Sequence, residues 1–291
     1  MQPQINPVSF ISAQEKFITF LRSQKRSSAT TIAYGGDLEQ LRKHLDSHRI
    51  TQVTTVQTDH LQTYVNELST QNYTPKSVSR KINSLKTFFK FLETQKIVNQ
   101  NPAMPLCHPR YTSNPPRILT PTEYRNLREA CRLDIRISAI VELLLQTGMR
   151  ISELANIRLE DVKKTEIYIR SIENNPDRTL PLPKSTVSAI QNYLSLRQPV
   201  TDNHLFVTKT GRPLLVRNIR TAIDRYFTKA GVKDAKVNDL RHTYIAHQLA
   251  HGVTSEVVNK LVGHRRLSST QKYLDYVKIT AVTTSPKSVE L

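Results

Sequence analysis

Between Asn101 and Pro116 the chain carries prolines at 102, 105, 109, 115 and 116 and shows no apolar period. Proline fixes φ, donates no backbone hydrogen bond and biases the residue before it toward extended backbone, so no helix or central strand can cross this stretch. A 291-residue chain interrupted in this way is expected to fold as two bodies joined by an extended, semi-stiff connection. The pattern places the first body at 1–103, the linker at 104–118, the second body at 119–276 and a tail at 277–291. The second body has a sharp start, because Thr120-Pro121-Thr122-Glu123 combines a capping box with proline at the first helical position.

The first body reads as four or five helices. Ser12-Ala13-Gln14-Glu15 resembles a capping box ahead of Phe17, Phe20 and Leu21. Ile32, Leu38, Leu41 and Leu45 form a second apolar stripe, interrupted by Gly35-Gly36, which weigh against one continuous helix. Leu61, Val65 and Leu68 make a third. The fourth is the clearest: Thr74 and Pro75 open it, and Val78, Ile82, Leu85, Phe89 and Leu92 recur at helical spacing. Its other side holds Lys76, Arg80, Lys81, Lys86 and Lys90, which are expected to meet DNA phosphates.

In the second body, Ile137, Ile140, Val141 and Leu144 trace a buried helix that stops at Gly148, a residue suited to a left-handed C-cap. Arg150 follows, with Glu153 and Leu154 opening the next short helix. Glu166 to Ile172 and Arg178 to Leu182 alternate, and Asn174-Asn175-Pro176-Asp177 is turn chemistry, so the pair predicts an edge hairpin. Helices are expected at about 185–197 and 216–230, the latter with Arg217, Arg220, Arg225 and Lys229 outward. Leu205-Phe206-Val207 predicts a short strand. The fold class is therefore mainly α, a helical N-terminal domain followed by a mixed helical domain with a small antiparallel sheet.

The 42 Lys and Arg against 24 Asp and Glu give +18, with +6 on residues 1–105 and +12 on the rest. Basic charge spread over both bodies is the footprint of a polyanion partner. No window approaches the ~18 apolar residues of a membrane span, so a cytoplasmic protein is expected, without a membrane partner. Cys107 and Cys131 have no metal-ligand spacing, and neither a metal nor any other cofactor is expected.

The chemistry gathers in the C-terminal seventh. Asn238 and Arg241 stand at the entrance of a helix running to Ala250, where backbone N–H groups and a guanidinium could meet a phosphate together. Thr254 caps a further helix that Gly263 ends, fixing His264 just beyond it, and Tyr273 follows nine residues later within another helical segment. Each has an ordinary explanation alone. Together with Arg150 they supply what metal-free phosphoryl transfer needs, cationic donors for the non-bridging oxygens and an attacking oxygen.

Three ordered boxes carry a resemblance. Thr147-Gly148-Met149-Arg150-Ile151-Ser152-Glu153-Leu154, Asp239-Leu240-Arg241-His242-Thr243, and Leu261-Val262-Gly263-His264 with Tyr273 are similar to those of tyrosine site-specific recombinases, the phage-integrase-like family, nearest its compact Xer-type and transposon-encoded members. The resemblance implies a SAM-like core-binding domain, a catalytic domain of the DNA breaking-rejoining fold, and a C-shaped clamp on duplex DNA. Tyr273 would be the nucleophile of a 3′-phosphotyrosyl intermediate, with Arg150 and Arg241 holding the phosphate, His264 donating a hydrogen bond and Glu153 orienting its neighbours. It further implies homotetramers on two inverted-repeat core sites, a tail exchanged between subunits, and no metal or ATP. An accessory protein that binds DNA without cutting it, or a monomeric type IB topoisomerase, would share the fold.

Two positions depart from the family pattern. Asn238 stands where the family has His; it can contact phosphate but cannot exchange a proton near neutral pH. The family's hairpin lysine, the general acid for the leaving oxygen, has no counterpart: Glu173 or Pro176 falls there, and no Lys lies between Lys164 and Lys184. Arg170 or Arg178 could occupy the place, or a shifted register could bring Lys163, Lys164 or Lys184 to it.

Overall fold

The structure is a computed structural model; it describes residues 7–24, 26–112, 114–171 and 175–277. The chain divides into two compact units, 1–113 and 114–291.

The first unit packs four helices, α1 (Phe10–Ser23), α2 (Ser28–Ser47), α3 (Thr58–Thr70) and α4 (Pro75–Thr94). The N-cap of α1 is Ser9, whose hydroxyl accepts from the Ser12 N–H, so the helix begins before the expected box. Phe10 explains the extension: it is buried and lies 5.4 Å from the ring of Phe88. Gly35-Gly36 do not break α2. Two glycines cost roughly 1 kcal/mol each in a helix interior, and burial of Leu38, Leu41 and Leu45 offsets that cost. Ile32, expected on this stripe, is 75% exposed, and Thr31 is buried in its place. Thr74 and Pro75 open α4 as predicted, with Thr74 Oγ1 accepting from the Ser77 N–H.

One expected DNA contact fails here. Lys81 is 6% exposed, and its ammonium donates to Asp37 Oδ1 at 3.0 Å and Gln40 Oε1 at 2.6 Å. Asp37 also accepts from Arg80 and from Ser84 Oγ. A residue two positions from Ser79 and Asn83 is turned far enough around the helix to face the core, and Asp37 stabilises the charge there. Lys76, Arg80, Lys86 and Lys90 keep some or all of their exposure, although Lys90 pairs with Glu93. The proline-rich stretch is partly docked, since Ala103 and Leu106 join the first unit's core.

The second unit contains α5 (Pro121–Cys131), α6 (Ile135–Thr147), α7 (Ile151–Ala155), β1 (Glu166–Ile169), β2 (Arg178–Pro181), α8 (Lys184–Leu196), α9 (Val216–Lys229), α10 (Val237–Ala250), α11 (Ser255–Val262) and α12 (Ser268–Gln271). The Thr120–Glu123 capping box forms as read. Helix α6 is buried almost all round, and α5, α8, α9 and α10 pack about it. Ile219, Ile223 and Phe227 turn inward from α9, leaving Arg217 and Arg220 exposed. The hairpin pairs Glu166 with Pro181 and Ile169 with Arg178. Leu205–Val207 does not extend this sheet; Val207 forms an isolated bridge with Pro213, and the preceding residue, His204, forms another with Arg158. Tyr273 lies in the turn after α12 rather than within a helix, and a 3₁₀ turn, Leu274–Tyr276, follows. The tail from 278 on, proposed to exchange between subunits, lies outside the described residues. No described helix is long and apolar enough to cross a membrane.

Candidate active site

Two glycines allow the site to close. Gly148 ends α6 at φ 59°, and a Cβ there would stand 2.3 Å from the Tyr244 ring; Gly263 ends α11 at φ 64°, and its Cβ would meet the Arg178 guanidinium at 2.8 Å. Any side chain at either point would be strained in backbone and in contact. The freed space brings guanidinium groups against helix C-termini, where unpaired carbonyls and the helix dipole favour cations. Arg241 donates to the carbonyls of Gly148 at 2.6 Å and Val262 at 2.8 Å. Arg150 donates to Gly263 O at 2.9 Å, and Arg178 Nε to Leu261 O at 2.7 Å.

These arginines share one carboxylate. Arg178 grips Glu153 with two hydrogen bonds of 2.9 Å, while Arg150 reaches the same carboxylate by its side chain at 3.1 Å and its backbone N–H at 2.7 Å. Burial pushes the Glu153 carboxyl up, but the bonds and charge of Arg178, joined by Arg150, outweigh it and hold the group below its usual range. Arg241 is 6% exposed. Burial and then the charge of Arg150 push it down to about 9 against the opposing charge of Glu153, so it stays protonated at neutral pH, and among the described residues no carboxylate forms an ion pair with it. A cavity of about 510 Å³ opens beside it, lined also by Arg220, Asp224, Lys236 and Asn238.

His264 is set by three contacts. Asn259 Nδ2 donates to the His264 carbonyl at 3.0 Å, which turns Asn259 Oδ1 toward Thr270 to accept its hydroxyl proton at 3.1 Å. The Thr270 oxygen therefore accepts from His264 Nδ1–H at 2.8 Å, leaving Nε2 bare in the neutral ring. Burial first, then Arg241 and Arg150, push this histidine down to about 3. Donation from Nε2 to a phosphate thus requires protonation of the ring, which a bound anion favours.

Tyr273 is 2% exposed, and its hydroxyl lies 2.5 Å from His242 Nδ1. Burial raises the phenol to about 12, with Arg241 opposing. Asn238 is exposed and its amide contacts His242 Nε2 at 2.7 Å. Arg150, Glu153, Arg241, His264 and Tyr273 fall in this one unit and, with Asn238, around one set of charges; the expected DNA contacts Lys76, Arg80, Lys86 and Lys90 belong to the other unit. Sequence reasoning passed over His242, although its place one helical turn after Asn238 was a signal. It also missed the Arg178–Glu153 pair, since nothing local links residues 25 apart.

Neither proposed substitute for the hairpin lysine is free. Arg178 is bound to Glu153, and Arg170 pairs with Glu160 and Asp161. The register puts Lys163, Lys164 and Lys184 at the open end of the hairpin, a strand's length from its turn, so the shifted alignment fails. Glu173 lies outside the described residues. Among the described residues, the one His/Cys/Asp/Glu group with ligand-like spacing is His44, His48 and Glu67 in the first unit, where His44 hydrogen-bonds Glu67.

The Phage integrase family model matches residues 117–278, and the model of the phage integrase N-terminal SAM-like domain matches 15–96. The tyrosine recombinase XerC of Staphylococcus carnosus is 31% identical over 270 residues, covering 89% of this chain and 91% of that protein. A lambda integrase dimer bound to a COC′ core site superposes with a TM-score of 0.76 at 15% identity, over 92% of this chain and 77% of that one. The Tn1549 transposon integrase in complex with a circular intermediate DNA gives 0.72 at 17% identity, over 91% and 94%. The chain belongs to the phage integrase family of tyrosine recombinases.

Proposed function

We propose that this protein recombines DNA at specific sites, with Tyr273 attacking a phosphodiester of duplex DNA to form a 3′-phosphotyrosyl link and free a 5′-hydroxyl. Attack by a 5′-hydroxyl from another strand reverses the step. One phosphoester replaces another of similar energy, so exchange requires no ATP. The observation that carries this reading is the gathering of Arg150, Arg178 and Arg241 about the single carboxylate of Glu153, in the same buried site as Tyr273. A surplus of desolvated positive charge is stabilised by an anion, and most by one whose negative charge grows in the transition state.

In this reading Arg150 and Arg241 hold the non-bridging oxygens and Glu153 fixes Arg150 and Arg178. His264, once protonated, adds a further donor. Lys76, Arg80, Lys86, Lys90, Arg217 and Arg220 contact phosphates farther along the duplex. The partner is double-stranded DNA with an inverted-repeat core, bound by four copies on two sites in the cytoplasm; lambda integrase has been seen as a tetramer on a Holliday junction.

The test uses a duplex that the protein selects from a random-sequence library, nicked beside the cleavage point so that the released fragment diffuses away. An SDS-stable adduct should form, vanish in Tyr273→Phe and persist in Tyr276→Phe. Tight binding with no adduct would overturn the reading.

A further inference from the structure

One side chain touches the nucleophile itself. The Tyr273 hydroxyl lies 2.5 Å from His242 Nδ1, with the rings 5.7 Å apart, and the Asn238 amide is placed with its nitrogen Nδ2 2.7 Å from Nε2 of the same imidazole. Tyrosine, histidine and asparagine thus stand in a row, an arrangement in which a third group orients a base toward a nucleophile. The proton positions follow from exposure. Tyr273 is buried, and among the described residues its hydroxyl has His242 Nδ1 as hydrogen-bond partner. A phenol proton left without an acceptor there would carry the desolvation penalty of an unpaired buried donor. Asn238 is exposed, so turning its amide to present Oδ1 to the ring only changes which end water solvates. The arrangement that satisfies every group has the Tyr273 O–H donating to Nδ1 and Nε2–H donating to Asn238 Oδ1.

We propose that His242 is the general base for Tyr273 and that Asn238 is the positioning residue holding His242 in its Nε2–H tautomer, an inference that rests on the recombinase function proposed above. In cleavage the Tyr273 oxygen bonds to phosphorus and the phenol proton passes to His242 Nδ1. The P–O5′ bond breaks with its electron pair on the 5′-oxygen, which water protonates. In rejoining, His242 returns the proton to the departing phenolate. Because burial lowers the imidazole and raises the phenol, the resting pair is neutral and the proton moves as the O–P bond forms. The asparagine that departs from the family pattern gains a task that needs no proton exchange of its own.

Two measurements test this. In the DNA-free protein, nitrogen NMR of the His242 ring should show a bare Nδ1 and a protonated Nε2; the opposite tautomer or an imidazolium at neutral pH would overturn the proposal even if no DNA were ever cut. In single-turnover cleavage of the nicked duplex described above, His242→Ala and His242→Gln should each slow adduct formation about 100-fold or more, with DNA affinity retained. Glutamine keeps an acceptor for the phenol but cannot carry its proton. The deficit should persist with a 5′-phosphorothiolate substrate, whose sulfur leaves unprotonated; recovery there would place His242 on the leaving-group side and overturn the assignment. Asn238→Asp, which retains an oxygen for Nε2–H, should cleave at least tenfold faster than Asn238→Leu. The reverse order would mark Asn238 as a phosphate ligand. Absence of adduct in the unaltered protein would instead defeat the recombinase reading, leaving the tautomer result to decide the pair.

Discussion

Asp37 in the first unit and Glu153 in the second are each buried and each held by two basic side chains, and the two do opposite things with the charge. Asp37 accepts from Lys81, Arg80 and Ser84, and the Arg80 side chain is half exposed, so water shares the excess positive charge. Glu153 accepts from Arg178 and Arg150, with Arg241 beyond; Arg241 is buried, and the side chains of Arg178 and Arg150 are 8% and 28% exposed. The second site holds three guanidinium groups against one carboxylate and has little water to spread the difference. Its neighbours register this: Arg241 falls to about 9 and His264 to about 3, while Lys81 sits in a satisfied set of hydrogen bonds. A buried ion pair is in itself a device of the fold. What marks a site for an anion is desolvated charge beyond what the fold neutralises.

The largest expected effects come from removing each carboxylate. Asp37→Ala leaves Lys81 buried and unpaired, and should destabilise the protein by about 3–5 kcal/mol in urea unfolding. Cleavage per folded molecule should not change. Glu153→Ala should cost a similar amount and also abolish cleavage, because Arg150 and Arg178 lose their anchor. If Asp37→Ala slows adduct formation by folded protein, the division between a structural and a functional carboxylate collapses. Arg241→Ala sharpens the contrast from the other side: adduct formation should fall about 10²–10³-fold, while the melting temperature stays level or rises, since a desolvated like charge has gone. A large loss of stability would show that Arg241 serves the fold through Gly148 O and Val262 O instead.

The same contrast explains what the amino-acid sequence could disclose. Local rules located Thr74-Pro75, the Thr120–Glu123 box, Gly148 and Gly263, because caps and left-handed positions depend on residues a few places apart. Arg150, Arg241, His264 and Tyr273 stood out because each adjoins such a boundary or matches a family box. Lys81 was misplaced because a basic residue on a helix carries no local sign of the Asp37 that lies 44 positions away. The unbroken α2 and the early start of α1 have the same origin, tertiary burial of Leu38 and Phe10 overriding glycine propensity and a local capping pattern. The Tyr273–His242 contact spans 31 positions and is fixed by how the turn after α12 returns to α10, which periodicity cannot express.

The smallest effect concerns pH and comes from the same excess of charge. Burial and the charge of Arg241 push His264 down to about 3 from the usual 6.5, and burial and then His251 push His247 down to about 4. Between those values and about 6.5 the unfolded chain binds more protons than the folded one, so stability rises with pH across that window and is lost as pH falls through it. Above about 6.5 both states hold neutral imidazoles and this dependence ends. Urea unfolding of the DNA-free protein should therefore show a lower midpoint at pH 5 than at pH 7.5. His264→Asn should flatten part of the slope and leave the part due to His247 and to His242, which burial also lowers. The comparison predicts a further asymmetry. An anion beside Arg241 opposes the charges that depress His264, whereas His247 is depressed by burial and His251 and should not respond. Inorganic phosphate should accordingly shrink the pH 5 deficit in the unaltered protein and have less effect in His264→Asn. An equal effect in both would mean that His264 does not sense the anion held by the arginines.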